Sequence, residues 1–538
     1  MFNQAVTERQ SWLPIAVLAV AAAIVCALLA SRLDYVPIWD GRVYAACISA
    51  AADNLAPESL RCAGHASQAY VLVAALAQKI ARSSAAPVLV TNALLVLVAV
   101  IGFNRLARHA FPGADAVDRS LLVAAFALQP AFLASIVQPG LDLPLLPGFV
   151  WSVVFVIERR PVLLVLSGLW LAFTKETGLF LYAVVVGCHA LWLLVKWPRP
   201  APQRLLEVLR LAPLAFPGVA FIGYLAFRKL TLPNQPPMWY GSTSGVPLLE
   251  QLFVPRLDLY QVNYAALLLV LNFSWVPWGV TMFDGFIGSV RAGHREPGRA
   301  VPGANESVAM FLLLVAVATG YALTRFTTYG HTRYFLPVYA LALFPFYTAL
   351  LRLGVPASGR RAVIALYAGA LALSSIRSVD PLSRRLYGTF PFGEHRLLRM
   401  TRITGECCGF GQDQLVYNLE FTNIQILTQR ALTPTAAGSA PVIVVPDSTS
   451  WIFLDPPNSG GRLLENRTWK RPGARVYEHR QLVRGSYRPD SLLYLGLPYG
   501  NNERAIRELS AFYDFRDEQR YTRAGYAVST FRLTKRRP

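Results

Sequence analysis

Eleven apolar runs, separated by short hydrophilic gaps, occupy the first 378 residues of the chain. A helix crossing the hydrocarbon core needs about 20 mostly apolar residues. The runs at 13–30, 87–104, 120–137, 143–157, 162–174, 177–195, 211–227, 264–283, 307–323, 335–351 and 362–377 therefore predict membrane spans. The fourth, fifth and sixth are short and crowded. Tyr70 to Ala81 is apolar but too short to span, and predicts a helix lying near the interface. The run Leu13 to Ala30 is long for a signal-peptide core and has no clean small-x-small site after it, so it predicts a retained first span.

After Arg377 the pattern changes. Charged residues become frequent and long apolar runs stop. Gln412 to Leu432 has helical spacing closed by Pro434. Pro441 to Pro446 and Leu492 to Leu497 predict buried strands, Asn502 to Phe515 a helix, and Tyr526 to Leu533 a last strand. The expectation is a multi-pass α-helical membrane domain over residues 1–378, with about 11 transmembrane helices, followed by a C-terminal α/β domain over 379–538.

Composition supports that division. The 538 residues are 54% hydrophobic and only 15% charged, against about 25% charged in a soluble domain. The mean hydropathy of +0.39 points the same way. The net charge of +20 comes mostly from Arg. Nucleic-acid binding is set aside because these charges sit in short loops between spans, as topology signals do. With the N-terminus inside, the loops 105–119, 158–161, 196–210, 284–306 and 352–361 face the cytoplasm, and each holds at least two Arg or Lys. The gaps 31–86, 138–142, 175–176, 228–263 and 324–334 then face outward, as does the C-terminal region. That region has an excess of about eight positive charges, suited either to an anionic membrane surface or merely to solvation.

Of the six cysteines, Cys26 and Cys188 lie in apolar runs and predict small core residues. Cys47 and Cys62 share the first outward loop and can bridge if that loop is outside the cytoplasm. Cys407 and Cys408 are adjacent. No His or Cys stands at zinc-site spacing around either pair, so no metal site and no cofactor is expected.

The candidate chemistry sits at the outward ends of the spans. Asp40, with Arg42 and Tyr44, follows the first span, where a carboxylate near lipid is by default functional. His65 precedes the interfacial helix. Asp142 interrupts apolar sequence after Gln138-Pro139-Gly140-Leu141. Lys175 and Glu176 stand between two apolar runs, and His331 and Arg333 precede another. Transfer of a sugar from a lipid phosphate needs a base for the acceptor hydroxyl and cations for the departing phosphate. Asp40 suits the first role; Lys175, His331 and Arg333 suit the second. Plainer readings stand beside these. Asp40 fits a solvated loop acid, Asp142 a helix cap, Lys175 and Glu176 a mutual pair or interfacial snorkelling, and Arg333 a span anchor.

In this arrangement the chain resembles the integral-membrane glycosyltransferases of the GT-C superfamily, in the branch of protein O-mannosyltransferases and lipid A aminoarabinose transferases. The resemblance rests on Asp40, Arg42 and Tyr44 in the first outward loop, Gly64-His65 before an interfacial helix, and Asp142 at the outer start of a span. It continues through Thr174-Lys175-Glu176-Thr177-Gly178 and His331-Thr332-Arg333 ahead of Pro337. It departs at Gly41, where many relatives have an acid, at Ala66-Ser67, where Pro-Pro is common, and at Thr177, where proline follows Lys-Glu. The resemblance implies a polyprenyl-phosphate sugar donor, with a lipid, glycan or protein as acceptor, and transfer on the outer face of a bacterial inner membrane. In it Asp40 would activate the acceptor or nucleophile with inversion, Asp142 would be a second acid, and Lys175 and Arg333 would hold phosphate. The competing class is a transporter or flippase of lipid-linked glycans; internal repeats and mid-membrane charges would favour it, and the sequence has neither.

Overall fold

The computed structural model describes residues 2–31, 37, 40–56, 59–60, 62, 65–80, 86–196, 206, 208–231, 268–291, 303–326, 332–377, 380, 382–383, 389–392, 395–398, 415–432, 442–446, 475–498, 500–523 and 525–536. Every predicted apolar run overlaps a helix within these residues. α1 is Phe2–Ala30, α2 Asp40–Asp53, α3 Gln68–Ile80 and α4 Ala86–Ala110. α5 (Ala116–Ala127) and α6 (Pro130–Ile136) follow, then α7 (Asp142–Ile157), α8 (Pro161–Ala172) and α9 (Glu176–Lys196). α10 is Phe216–Thr231, α11 Trp275–Arg291, α12 Glu306–Phe326, α13 Leu336–Arg352 and α14 Ala357–Arg377.

The span count is the first difference from the sequence pattern. Among the described residues, five helices are long and apolar enough to cross a membrane, or six if one bent pair is a single span. That pair is α5 and α6, which meet at 63°. The run 120–137 is therefore not one straight helix. Pro130 occupies the first turn of α6, where its missing N–H and fixed φ start a helix but cannot continue one. α7 and α8, of 16 and 12 residues, are apolar but short.

Aromatic packing joins the centre of the bundle. Phe103 of α4 stacks on Phe126 of α5 at 4.6 Å and meets Phe344 of α13 at 5.0 Å. Phe126 continues to Phe132 of α6 at 5.0 Å. At one end, buried Asp118 of α5 accepts from Tyr347 Oη and from Arg361 Nε, and pairs with Arg360 Nη2 at 3.4 Å. This ties α5 to α13 and α14. Cys188 is buried as expected; Cys26 is exposed on α1, a correction to its reading as a core residue. A free cysteine is itself apolar enough to face lipid. Cys47 and Cys62 form a disulfide with Cα atoms 5.6 Å apart, joining α2 to the segment before α3.

The C-terminal region contains the hairpin β1 (Thr389–Phe392) and β2 (His395–Leu398), and a five-stranded sheet of β3 (Val442–Val445), β4 (Arg475–Glu478), β5 (Ser491–Gly496), β6 (Tyr513–Arg523) and β7 (Tyr526–Lys535). The sheet order is β4-β3-β5-β7-β6, parallel through β4, β3 and β5 and antiparallel at β7 and β6. α15 (Leu415–Leu432), α16 (His479–Arg484) and α17 (Asn502–Leu509) complete it. The predicted helix Asn502 to Phe515 ends at Leu509, and Tyr513 already belongs to β6. The Asn501 side chain caps α17 by accepting from the Arg504 N–H. α15 packs on α6 and α14 of the bundle and on β6 and β7 of the sheet. Buried Asp380 accepts from Phe273 N–H at 3.2 Å, Trp275 Nε1 at 3.2 Å and Ser383 Oγ at 2.6 Å, fastening the chain after α14 to the start of α11. Cys407 and Cys408 lie outside the described residues.

Candidate active site

Asp142 is the first residue of α7. Its side chain meets two cations. Oδ1 accepts from Lys175 Nζ at 2.6 Å, and Oδ2 stands 2.8 Å from Arg333 Nε, an ionic contact without hydrogen-bond alignment. All three side chains are buried or nearly so, with 7%, 6% and 13% exposure. The cluster carries one net positive charge in a site poor in water, where charge interactions are strong. Burial is the largest influence on Lys175 and disfavours its charge, but the Asp142 carboxylate together with Tyr334 and Tyr44 more than offsets it, so the ammonium pKa lies above its ordinary value. Tyr334 lies against both cations, 4.5 Å from Lys175 Nζ and 5.6 Å from the Arg333 guanidinium carbon.

Lys175 and Glu176 do not pair with each other. They sit in the link between α8 and α9 and diverge. Glu176 Oε2 is 2.9 Å from His65 Nδ1, and its Oε1 accepts from the Ala66 N–H at 3.0 Å. The His65 segment is thereby held to the start of α9. The α8–α9 link is tight: a Cβ at Gly178 would stand 2.1 Å from the Leu171 carbonyl oxygen. Only glycine permits that approach.

Asn92 is a residue the sequence reading missed. Wholly buried in α4, it donates to the Ile136 and Gln138 carbonyls at 3.0 and 2.9 Å and accepts from Tyr70 Oη at 3.0 Å. These bonds hold the segment that leads into Asp142. The available signal was a lone amide in an apolar run, which lipid makes costly unless it is bonded.

A cavity of about 30 Å³ adjoins the cluster, lined by Gly41, Tyr44, Gln138, Asp142 and Arg333 among others. Ligand pockets commonly measure about 300–1,000 Å³, so a ligand of that size would have to widen this one. Gly41 closes against Gln138 and Pro139: a Cβ there would lie 2.8 Å from Gln138 Oε1. A side chain at position 41 would require the Gln138 amide to move aside. Asp40 therefore has its backbone beside the cavity, at the start of α2, but its side chain and that of Arg42 lie outside the described residues. So do Gly64 and His331. The structure thus places Asp142, Arg333 and Tyr44 around one cavity, with Lys175 bonded to Asp142, and joins His65 with Glu176 in a neighbouring pair. Among the described residues no group of three or more His, Cys, Asp or Glu side chains is placed to hold a metal ion.

Apolar helices carrying buried charges at one end, followed by a sheet-bearing C-terminal region, make this a multi-pass membrane protein with a fold shared by ArnT. The resemblance drawn from the sequence holds at that level. Among solved structures, ArnT from Cupriavidus metallidurans bound to undecaprenyl phosphate shares the fold with a TM-score of 0.51, covering 96% of this chain and 97% of that one at 13% sequence identity. The same protein in the apo state gives 0.49 at 12% identity, covering 98% of each chain. No family model matches this sequence. No curated protein matches it either.

Proposed function

We propose that the chain is a glycosyltransferase that moves a sugar from a polyprenyl-phosphate donor to a lipid, glycan or protein acceptor at the outer face of a bacterial inner membrane. The observation that carries this reading is the buried Asp142–Lys175–Arg333 cluster, with two cations for one carboxylate. A lipid phosphate that departs during transfer is an anion at the membrane boundary, and such a cluster offers it charge-assisted contacts in place of water. The fold likeness to ArnT bound to undecaprenyl phosphate supports the donor class.

In this mechanism the acceptor O–H attacks the anomeric carbon as the bond from that carbon to the phosphate oxygen breaks. The Asp40 carboxylate takes the acceptor proton, and the polyprenyl phosphate leaves with the bonding pair. One displacement inverts the anomeric carbon. Asp142 has both oxygens committed to cations, so its role is to hold Lys175 and Arg333 in place. The Glu176–His65 pair positions the loop before α3. The chemistry uses no metal. The Cys47–Cys62 disulfide supports placing the α2–α3 loop outside the reducing cytoplasm. On this reading the N-terminus lies in the cytoplasm and the C-terminal domain in the periplasm.

The test is transfer by the purified full chain in lipid vesicles containing a radiolabelled polyprenyl-phosphate sugar and a mixed envelope-lipid acceptor. Lys175→Ala and Arg333→Ala should each lower transfer on the order of 10²-fold while keeping the wild-type elution profile. Movement of labelled donor across the vesicle wall without any new glycosidic bond would replace the transferase with a flippase. Full transfer by both variants would remove the cluster from the reaction.

A further inference from the structure

A second and larger cavity lies at the opposite end of the bundle. α7 runs from Asp142 to Ile157, about 23 Å at 1.5 Å per residue, and this cavity opens at its far end. It measures about 350 Å³. Its polar lining consists of Arg159, Arg210, His189 and Ser307. Val156, Trp192 and Phe311 contribute apolar walls, with the Trp192 and Phe311 rings 5.9 Å apart and edge to face. Among the described residues no carboxylate lines it. Of the acids next in sequence to lining residues, Glu158 is engaged by Arg105 and by His109 Nε2 at 2.8 Å, and Glu306 stands beside Ser307 at the start of α12.

We infer that this cavity is a binding site for an anionic glycerophospholipid. Two guanidiniums at the rim of an apolar groove, level with a helix end, match a phosphodiester headgroup whose acyl chain runs along the bundle. Guanidinium recognises phosphate oxygens through directed paired donors. Basic pockets between membrane helices on the cytoplasmic side are suited to acidic headgroups. The Arg-rich loops put this end on that side, where the leaflet is anionic. The Trp192 and Phe311 rings offer the chain an apolar wall. A zwitterionic headgroup carries its own cation and would meet two more at the rim, so the charge balance selects against it. The donor phosphate of the proposed reaction belongs to the other end of the bundle, so this site is independent of the transfer step and rests on the membrane reading of the fold and the orientation given by the Arg-rich loops.

The experiment uses the full chain in a neutral detergent, with dioctanoyl phosphatidylglycerol, dioctanoyl phosphatidylcholine and glycerol 3-phosphate as probes. Binding is read by tryptophan fluorescence and by the thermal midpoint. The phosphatidylglycerol should bind about tenfold more tightly than the phosphatidylcholine, and the double variant Arg159→Gln, Arg210→Gln should lose that preference. Should the double variant elute as aggregate, Arg210→Gln alone, at an exposed position, is expected to weaken phosphatidylglycerol about threefold. Equal affinity for the two lipids overturns the proposal, as does undiminished preference in a folded variant. Glycerol 3-phosphate binding as tightly as the lipid would also overturn it, since that defines a soluble-anion site without a place for acyl chains.

Discussion

Asp142 has two carboxylate oxygens and a cation on each. This arrangement assigns work among the acids. A carboxylate so engaged is a poor proton acceptor, which leaves Asp40 as the proposed base. Asp40→Asn is therefore expected to lower transfer at least 10²-fold while donor binding, read by a fluorescent polyprenyl phosphate, stays within a factor of two or so. Wild-type turnover by the folded Asn variant would remove Asp40 from the mechanism. Asp142, Lys175 and Arg333 were each visible in the sequence as charges interrupting apolar runs. Their pairing was not, because it joins residues from three separate parts of the chain. Common sidedness was the one clue, supplied by the Arg-rich loops opposite. Asn92 escaped notice for the converse reason: a neutral amide does not disturb an apolar pattern enough to be seen as an interruption.

At the level of elements, the link between α8 and α9 sets where Lys175 stands. Leu171 and Gly178 are packed backbone to side-chain position, so Gly178→Ala must push the two helices apart. Overpacking of this kind destabilises by about 1–3 kcal/mol. A lowered denaturation midpoint in detergent, together with transfer that falls further than the loss of folded protein explains, is the expected outcome. An unchanged midpoint and rate would show that the link yields freely. Helix positions were legible because apolarity is a local property of each run. Helix continuity was not: the 63° break between α5 and α6 is marked only by Gln129-Pro130 inside an otherwise apolar stretch. Likewise Tyr513 to Arg523 lacks the alternation of a half-buried strand, since most of β6 is exposed or partly so. Its pairing with β7 is a long-range choice that a local pattern cannot carry.

Across the whole molecule, charge is organised by end. One end gathers Asp142, Lys175 and Arg333; the other holds the Asp118–Arg360–Arg361 tie and the Arg159–Arg210 cavity. The proposed transfer relies on protein cations rather than a bound ion. Incubation with EDTA followed by gel filtration should accordingly leave the transfer rate unchanged, measured with and without added Mg²⁺ or Mn²⁺. A rate abolished by EDTA and restored by either ion would contradict the role given to Lys175 and Arg333. The C-terminal sheet is joined to the bundle through α15, and Asp380 fastens the chain after α14 to the start of α11. Neither contact was readable beforehand, because each pairs a residue or face with a distant partner.

Lys175 and Glu176 are consecutive, yet each answers to a different neighbour, one to Asp142 and the other to the His65 segment. A single peptide unit is thus a mechanical pivot shared by two arms. A displacement of the loop before α3 would pull on Glu176, the residue next to the Lys175 ammonium.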